Sequence, residues 1–140
     1  MTNSISKKSL CVTAAFFAMA LHSSGVMASN LPEVQQTGDI TYVTGGIGDE
    51  ERNALKAVRH DYNLHILSAA GASGEYPGDT HICIFDNHNH KLLDTDADPF
   101  FYAKMPAGHY VVEESSGGQS KKQSIVMSAG TPVNITFRWK

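Results

Sequence analysis

The chain has 140 residues and carries 11 Lys and Arg against 14 Asp and Glu, a formal net charge of −3. That balance leaves no basic footprint for nucleic acid. Only two cysteines are present, and one of them sits in an N-terminal apolar run, so a disulfide-stapled scaffold is excluded and stability has to come from a packed core.

Residues 1–28 read as a cleaved Sec signal peptide. Lys7 and Lys8 form a positive start, Leu10 to Leu21 is an apolar run too short to span a bilayer, and Val26-Met27-Ala28 suits the positions before a signal-peptidase cut. The mature chain is expected to begin near Ser29 and to be periplasmic or secreted. It has no second apolar run of spanning length, and its net charge falls to −5 once Lys7 and Lys8 are gone. Cys83 is then the single remaining thiol.

Residues 29–44 read as an N-terminal extension in which Ile40-Thr41-Tyr42-Val43 forms a short strand. A β-sandwich domain is expected over 45–140. Gly45-Gly46-Ile47-Gly48 leads into a helix over Asp49 to Tyr62, with acidic residues in its first turn and Arg59 and His60 in its last, as the helix dipole favours. No Gly-Lys-Ser/Thr follows these glycines, and three acidic residues at the helix start would repel a phosphate, so backbone freedom explains them better than a phosphate loop. Leu55, Val58 and Tyr62 share one face, which has to dock because a helix of roughly 12 residues is marginal alone.

Seven short strands follow, at 63–70, 80–86, 91–95, 100–104, 109–114, 121–127 and 133–139, separated by turn residues. In the second, Ile82 and Ile84 point one way and Cys83 and Phe85 the other. Both faces are thus apolar, and the helix, the N-terminal segment or a second copy of the chain is expected to cover the Cys83 and Phe85 side. Asp86-Asn87-His88-Asn89-His90 reads as a turn, and Met105-Pro106-Ala107-Gly108 as a type I turn. The last strand alternates most cleanly, with Val133, Ile135, Phe137 and Trp139 on one face. The pattern predicts a mainly β protein: one antiparallel seven-stranded sandwich with a helix packed on a sheet face.

Gly45-Gly46-Ile47-Gly48-Asp49-Glu50-Glu51-Arg52, then Tyr62-Asn63-Leu64, Gly74-Glu75-Tyr76, Ile82-Cys83-Ile84, Leu93, Pro99 and Pro106-Ala107-Gly108-His109-Tyr110-Val111-Val112 resemble the small exported bacterial carboxypeptidase regulatory-like domain proteins. The resemblance spans nearly the whole chain after the leader. It implies a transthyretin-like (prealbumin-like) β-sandwich and an exported address, and no particular activity. Hydroxyisourate hydrolases of that fold end in Tyr-Arg-Gly-Ser, whereas this chain ends Phe137-Arg138-Trp139-Lys140. At the hairpin turn, where relatives commonly have Gly, this chain has Asn89, which also tolerates the left-handed conformation.

Six histidines remain after the leader: His60, His65, His81, His88, His90 and His109. Asp86, His88 and His90 are the candidate metal ligands, for Zn or Cu, with His81 or His109 completing the set if the strands align. Asp94-Thr95-Asp96-Ala97-Asp98 imitates half of a calcium loop. Pro99 at its sixth position and Met105 at its twelfth exclude an EF-hand, and side chains bonding their own turn explain the run. No Gly-x-Ser-x-Gly is present, and burial in an apolar strand would blunt Cys83 as a nucleophile.

The sequence thus supports a non-enzymatic exported binding or interaction module of the envelope, with a protein or envelope partner and homodimerisation as a secondary expectation. Its alternatives are a periplasmic metal-binding protein and a secreted factor acting on a host or competitor. Intact-mass measurement of the exported protein is expected to give a chain starting at Ser29; a chain that retains Lys7 and Lys8 would contradict the cleavage.

Overall fold

Alternating apolar side chains build two sheets whose inner faces meet. The computed structural model describes residues 31–72 and 75–140. The expected leader over 1–28 lies outside the described residues, as do Ser73 and Gly74. The elements run β1 (Gln35–Thr37), β2 (Ile40–Gly45), α1 (Asp49–Val58), a 3-10 turn (Arg59–Asp61), β3 (Leu64–Ala70), β4 (Thr80–Asp86), β5 (Lys91–Ala97), β6 (Phe100–Lys104), β7 (Gly108–Ser116), β8 (Gln119–Met127) and β9 (Val133–Trp139). One sheet has the order β1-β2-β6-β3-β9 and the other β5-β4-β7-β8. The expected sandwich is present with nine strands rather than seven. Its pairing is not wholly antiparallel, because β9 runs parallel to β3 with Leu64 opposite Val133 and Ala70 opposite Trp139. The stretch set apart as an extension supplies β1 and β2, and Ile40, Tyr42 and Val43 are buried.

The main core lies between the sheets. Tyr42, Leu64, Ile66 and Phe101 of the first sheet face Ile82, Ile84, Leu93 and Val112 of the second, and Ile135, Phe137 and Trp139 extend the layer. Tyr42 and Phe101 stack with ring centroids 5.3 Å apart. At the Pro-Ala-Gly-His-Tyr turn, the Tyr110 hydroxyl donates to the Pro106 carbonyl at 3.0 Å, tying the start of β7 to the chain four residues earlier. Asn63 secures the end of β6 in a similar way. Its side-chain amide donates to Met105 O and accepts from Met105 N, both at 2.8 Å, so a side chain completes the ladder where that strand stops.

A second apolar cluster corrects the expected docking of the helix. Leu55 of α1, together with Tyr62, packs on Val43 and Tyr102, flanked by Val58 and Phe100. The helix therefore covers the outer face of the first sheet, and Cys83 and Phe85 on the other sheet stay only partly buried. The tether decides this. Three residues separate β2 from α1, too few to carry the helix around to a sheet stacked about 10 Å away. The apolar face that invited a second copy of the chain as cover, that of Cys83 and Phe85, is not closed by the helix; it is broken up by charge, since Asp94, Glu113 and Lys122 lie in register with Cys83.

One buried acid interrupts the core. Glu114 is fully buried, and the Trp139 indole Nε1–H donates to its Oε1 at 2.7 Å, while Oε2 and the Ser68 hydroxyl lack a well-aligned partner. Burial pushes this carboxyl above its ordinary value, against the pull of Ser68 and Trp139. Folded Glu114 thus keeps its proton to higher pH than the unfolded side chain. Its contribution to stability is complete below the ordinary value of 4.5 and is lost as pH rises from there through the folded-state value. Glu114→Gln keeps an acceptor for Trp139 and cannot ionise. In thermal melts the parent is expected to lose stability as pH rises above about 4.5 and the variant to lose markedly less; parallel curves would contradict a buried, proton-holding Glu114.

Candidate functional site

The lead-in to the helix fixes where its far end points. Glu51, in the first turn, reaches back past the N-cap Gly48 so that its Oε2 accepts the N–H groups of Gly46 at 2.9 Å and Ile47 at 3.1 Å, two loop donors ahead of the helix. Arg52 Nη1 donates to the carbonyls of Gly46 and Ile47, its other nitrogen meets Asp49, and its guanidinium lies 5.9 Å from the Tyr76 ring centroid. Gly46 has φ +104, and a Cβ there would sit 2.3 Å from Phe100 Cδ2. The glycine-acidic-Arg signature is therefore a clasp between β2 and α1, and no anion site is built from it.

The helix so held ends beside a cleft of about 650 Å³, lined on one side by Lys56, Arg59 and His60 and on the other by Lys104 of β6 and Asn134 of β9. Its floor is His65, 8% exposed. The His65 ring is fully engaged: Nε2–H donates to the carbonyls of Arg59 at 3.0 Å and Tyr62 at 3.1 Å, and Nδ1 accepts from Arg59 Nε at 3.3 Å. Arg59 Nη2 donates to Asn134 Oδ1 at 2.5 Å, so one guanidinium clamps both side chains. Tyr102 meets the His65 ring edge-on, with centroids 5.0 Å apart. Lys56, His60 and Lys104 are exposed around this fixed floor.

The hairpin between β4 and β5 carries Asp86, His88 and His90. Asp86 Oδ1 accepts the backbone N–H of His88 at 2.8 Å and of His90 at 2.9 Å, and Oδ2 lies 3.1 Å from His90 Nδ1. The backbone N–H of His90, and then that of His88, hold the carboxyl below its ordinary value. Asn89 takes φ +64, the left-handed conformation its place in the turn suggested. The His88 and His90 rings stack with centroids 6.0 Å apart. His81 does not complete this set, since it lies five residues back along β4, about 16 Å away at ordinary strand rise.

His81 instead faces β5 across the outer surface of the second sheet. Register places Asp96 opposite His81 and Asp94 opposite Cys83. His81 Nδ1 is 2.8 Å from Asp96 Oδ1, and its Nε2 is 2.5 Å from Asp94 Oδ1. The bond to Asp96, aided by Asp94, holds the imidazole above its ordinary value against some burial. Asp94, bound first by Lys91 and then by His81, is held below its own. Burial, then Asp94 and Glu113, push the Cys83 thiol up, against Lys91, which disfavours the thiolate a nucleophile requires. The alternation of β4 puts His81 and Cys83 on one face. The carboxylates join them through a hairpin register that includes a shift between Ile84 and Phe85, which the sequence does not reveal.

The fold defines a β-sandwich with one face covered by a helix. A scan against protein-family models finds no match, and no curated protein matches. Among solved structures the chain is similar to the group B streptococcus pilus 2b backbone protein, with a TM-score of 0.41 and 10% identity over 77% of this chain and 51% of that one. The chain thus spans about half the length of that protein.

Because the clasp places α1, Gly46→Ala is expected to destabilise the fold by about 2–3 kcal/mol through a strained φ and the clash with Phe100. Urea denaturation checks this, and an unchanged midpoint would contradict the clasp.

Proposed function

We propose that this chain is an exported, non-catalytic binding module that receives an anionic ligand in the cleft at the C-terminal end of its helix. The reading rests on one observation: Lys56, Arg59 and Lys104 line a single concavity, against one carboxylate, Asp61, which pairs with His60, in a chain whose net charge is −3. Arg59 is oriented by His65 and Asn134, while Lys56 and Lys104 remain exposed at the rim. Focused positive potential against a negative background recruits anions and steers their approach.

Two further features agree with it. The leader-like start, with Lys7 and Lys8 ahead of an apolar run, supports an address in the envelope or outside the cell. The motif resemblance to carboxypeptidase regulatory-like sandwiches supports the same address, and we place the chain with them. The environments of Cys83 and His65 support binding over catalysis: burial and Asp94 push the thiol up, which disfavours the thiolate, and both ring nitrogens of the histidine are committed to holding the cleft floor.

Titration of the protein with inorganic phosphate and with a heparin-derived oligosaccharide, followed by amide chemical shifts, is expected to perturb Lys56, Arg59, His60, Lys104 and their neighbours first. In the double variant Lys56→Glu, Lys104→Glu the affinity is expected to fall by about tenfold or more, since each rim charge contributes up to about 1 kcal/mol. Added salt should weaken the parent's binding. No shift at the cleft with either anion, or equal affinity in the charge-reversed variant, would overturn the reading.

A further inference from the structure

The outer face of the second sheet carries a different kind of chemistry. We infer that His81, Cys83 and Asp94 form a three-ligand site for a thiophilic divalent cation of the Zn²⁺ type, with Asp96 as the group that orients the histidine. The donor atoms of the three residues lie within 4.8 Å of one another. A tetrahedral zinc centre, with Zn–N near 2.0 Å and Zn–S near 2.3 Å, asks for ligand separations of about 3.3–3.8 Å. The His81 and Asp94 pair, now 2.5 Å apart, has to open by roughly 1 Å to admit the ion.

Four features make this more than an accidental meeting of polar residues. Nitrogen, thiolate sulfur and carboxylate oxygen are the ligand types zinc takes, and the sulfur separates the site from a calcium or magnesium one. The ligands stand on two hydrogen-bonded strands at fixed register, which is stiffer support than the tip of a hairpin. Asp96 holds His81 Nδ1 at 2.8 Å, so Nε2 is the nitrogen turned toward Asp94 and Cys83; a carboxylate behind a histidine is the usual outer partner of a metal-bound imidazole. Lys91 bonds the second oxygen of Asp94 and keeps that carboxylate aimed across the strand pair. Without the ion, His81 Nε2 and Asp94 Oδ1 share a hydrogen bond, and a proton on Nε2 bridges them. The cation takes its place, and that proton and the thiol proton pass to solvent.

Three protein ligands leave a fourth position open. Asp94 is exposed and His81 and Cys83 are only partly buried, so that position is within reach of solvent or of a donor from another molecule.

Calorimetry of the metal-free chain with Zn²⁺ alone is expected to show one site per chain, and Co²⁺ substitution is expected to give the charge-transfer absorption of a cobalt–thiolate bond. Cys83→Ser should abolish that absorption, and His81→Ala should weaken Zn²⁺ by about 100-fold or more. Asp96→Asn should weaken it by about 10–100-fold while keeping the thiolate band. The double variant His88→Ala, His90→Ala should bind as the parent does. All of these side chains are at least partly exposed, so the variants are expected to fold, which their thermal melts verify. No uptake by the parent, uptake without a thiolate band, or loss of binding in the hairpin variant but not in Cys83→Ser would overturn the site.

Discussion

The seat of Leu55 on Val43 and Tyr102 is the contact on which the rest of the structure depends. β2 and β6 are apolar on both faces: Tyr42 and Phe101 turn inward to the second sheet, Val43 and Tyr102 outward. A sheet with two apolar faces needs two covers. The second sheet supplies one, and a ten-residue helix on a three-residue tether supplies the other. Tyr62, just beyond the helix, closes the same cluster, and from there the chain enters β3. The clasp of Glu51 and Arg52 around the glycines sets the direction of the helix, the direction sets where its last turn falls, and the last turn forms one wall of the basic cleft. Packing, backbone geometry and surface charge are thus consecutive consequences of one short connection.

The two outer faces differ because their sequences differ in parity. On β2 and β6 the outward positions under the helix are Val43, Phe100 and Tyr102. On β4 they are His81, Cys83 and Phe85, set beside Asp94 and Asp96 of β5 and Glu113 of β7. A face of that composition needs no helix over it, and Lys122 closes over Phe85 at 5.9 Å from the ring centroid. One side of the sandwich is therefore committed to holding itself together, and the other keeps its heteroatoms within reach of solvent.

Much of this was legible in the residues. The alternation of Val133, Ile135, Phe137 and Trp139, the acidic first turn of the helix, the shared face of Leu55, Val58 and Tyr62, and the tolerance of Asn89 for the left-handed turn are local properties, and each appears where local rules place it. The docking of the helix was harder to read, because periodicity marks a face without naming its partner; tether length decided between two apolar candidates. The parallel pairing of β9 with β3 was not legible, since a strand's pattern carries no direction. The grouping of His81 and Cys83 with Asp94 and Asp96 depended on register, and a single irregularity between Ile84 and Phe85 sets which carboxylate faces which donor. The buried Glu114 gave no signal either: its position inside β7 alternates inward like its apolar neighbours, and the indole of Trp139, arriving on β9, is what meets the carboxyl there.

That last strand has a bearing on how the molecule comes into being. β9 pairs along its whole length with β3, a strand from the first half of the chain, and it brings both the indole that meets Glu114 and the Asn134 amide that Arg59 grips. Contacts so distant along the chain form late and slowly. Until β9 docks, the first sheet lacks its outer strand, the acid in the core lacks its donor and the cleft lacks a wall. Such a fold has an inbuilt delay: sheet, core and cleft are completed together by one distant strand pair, and none of them is finished before that pair closes.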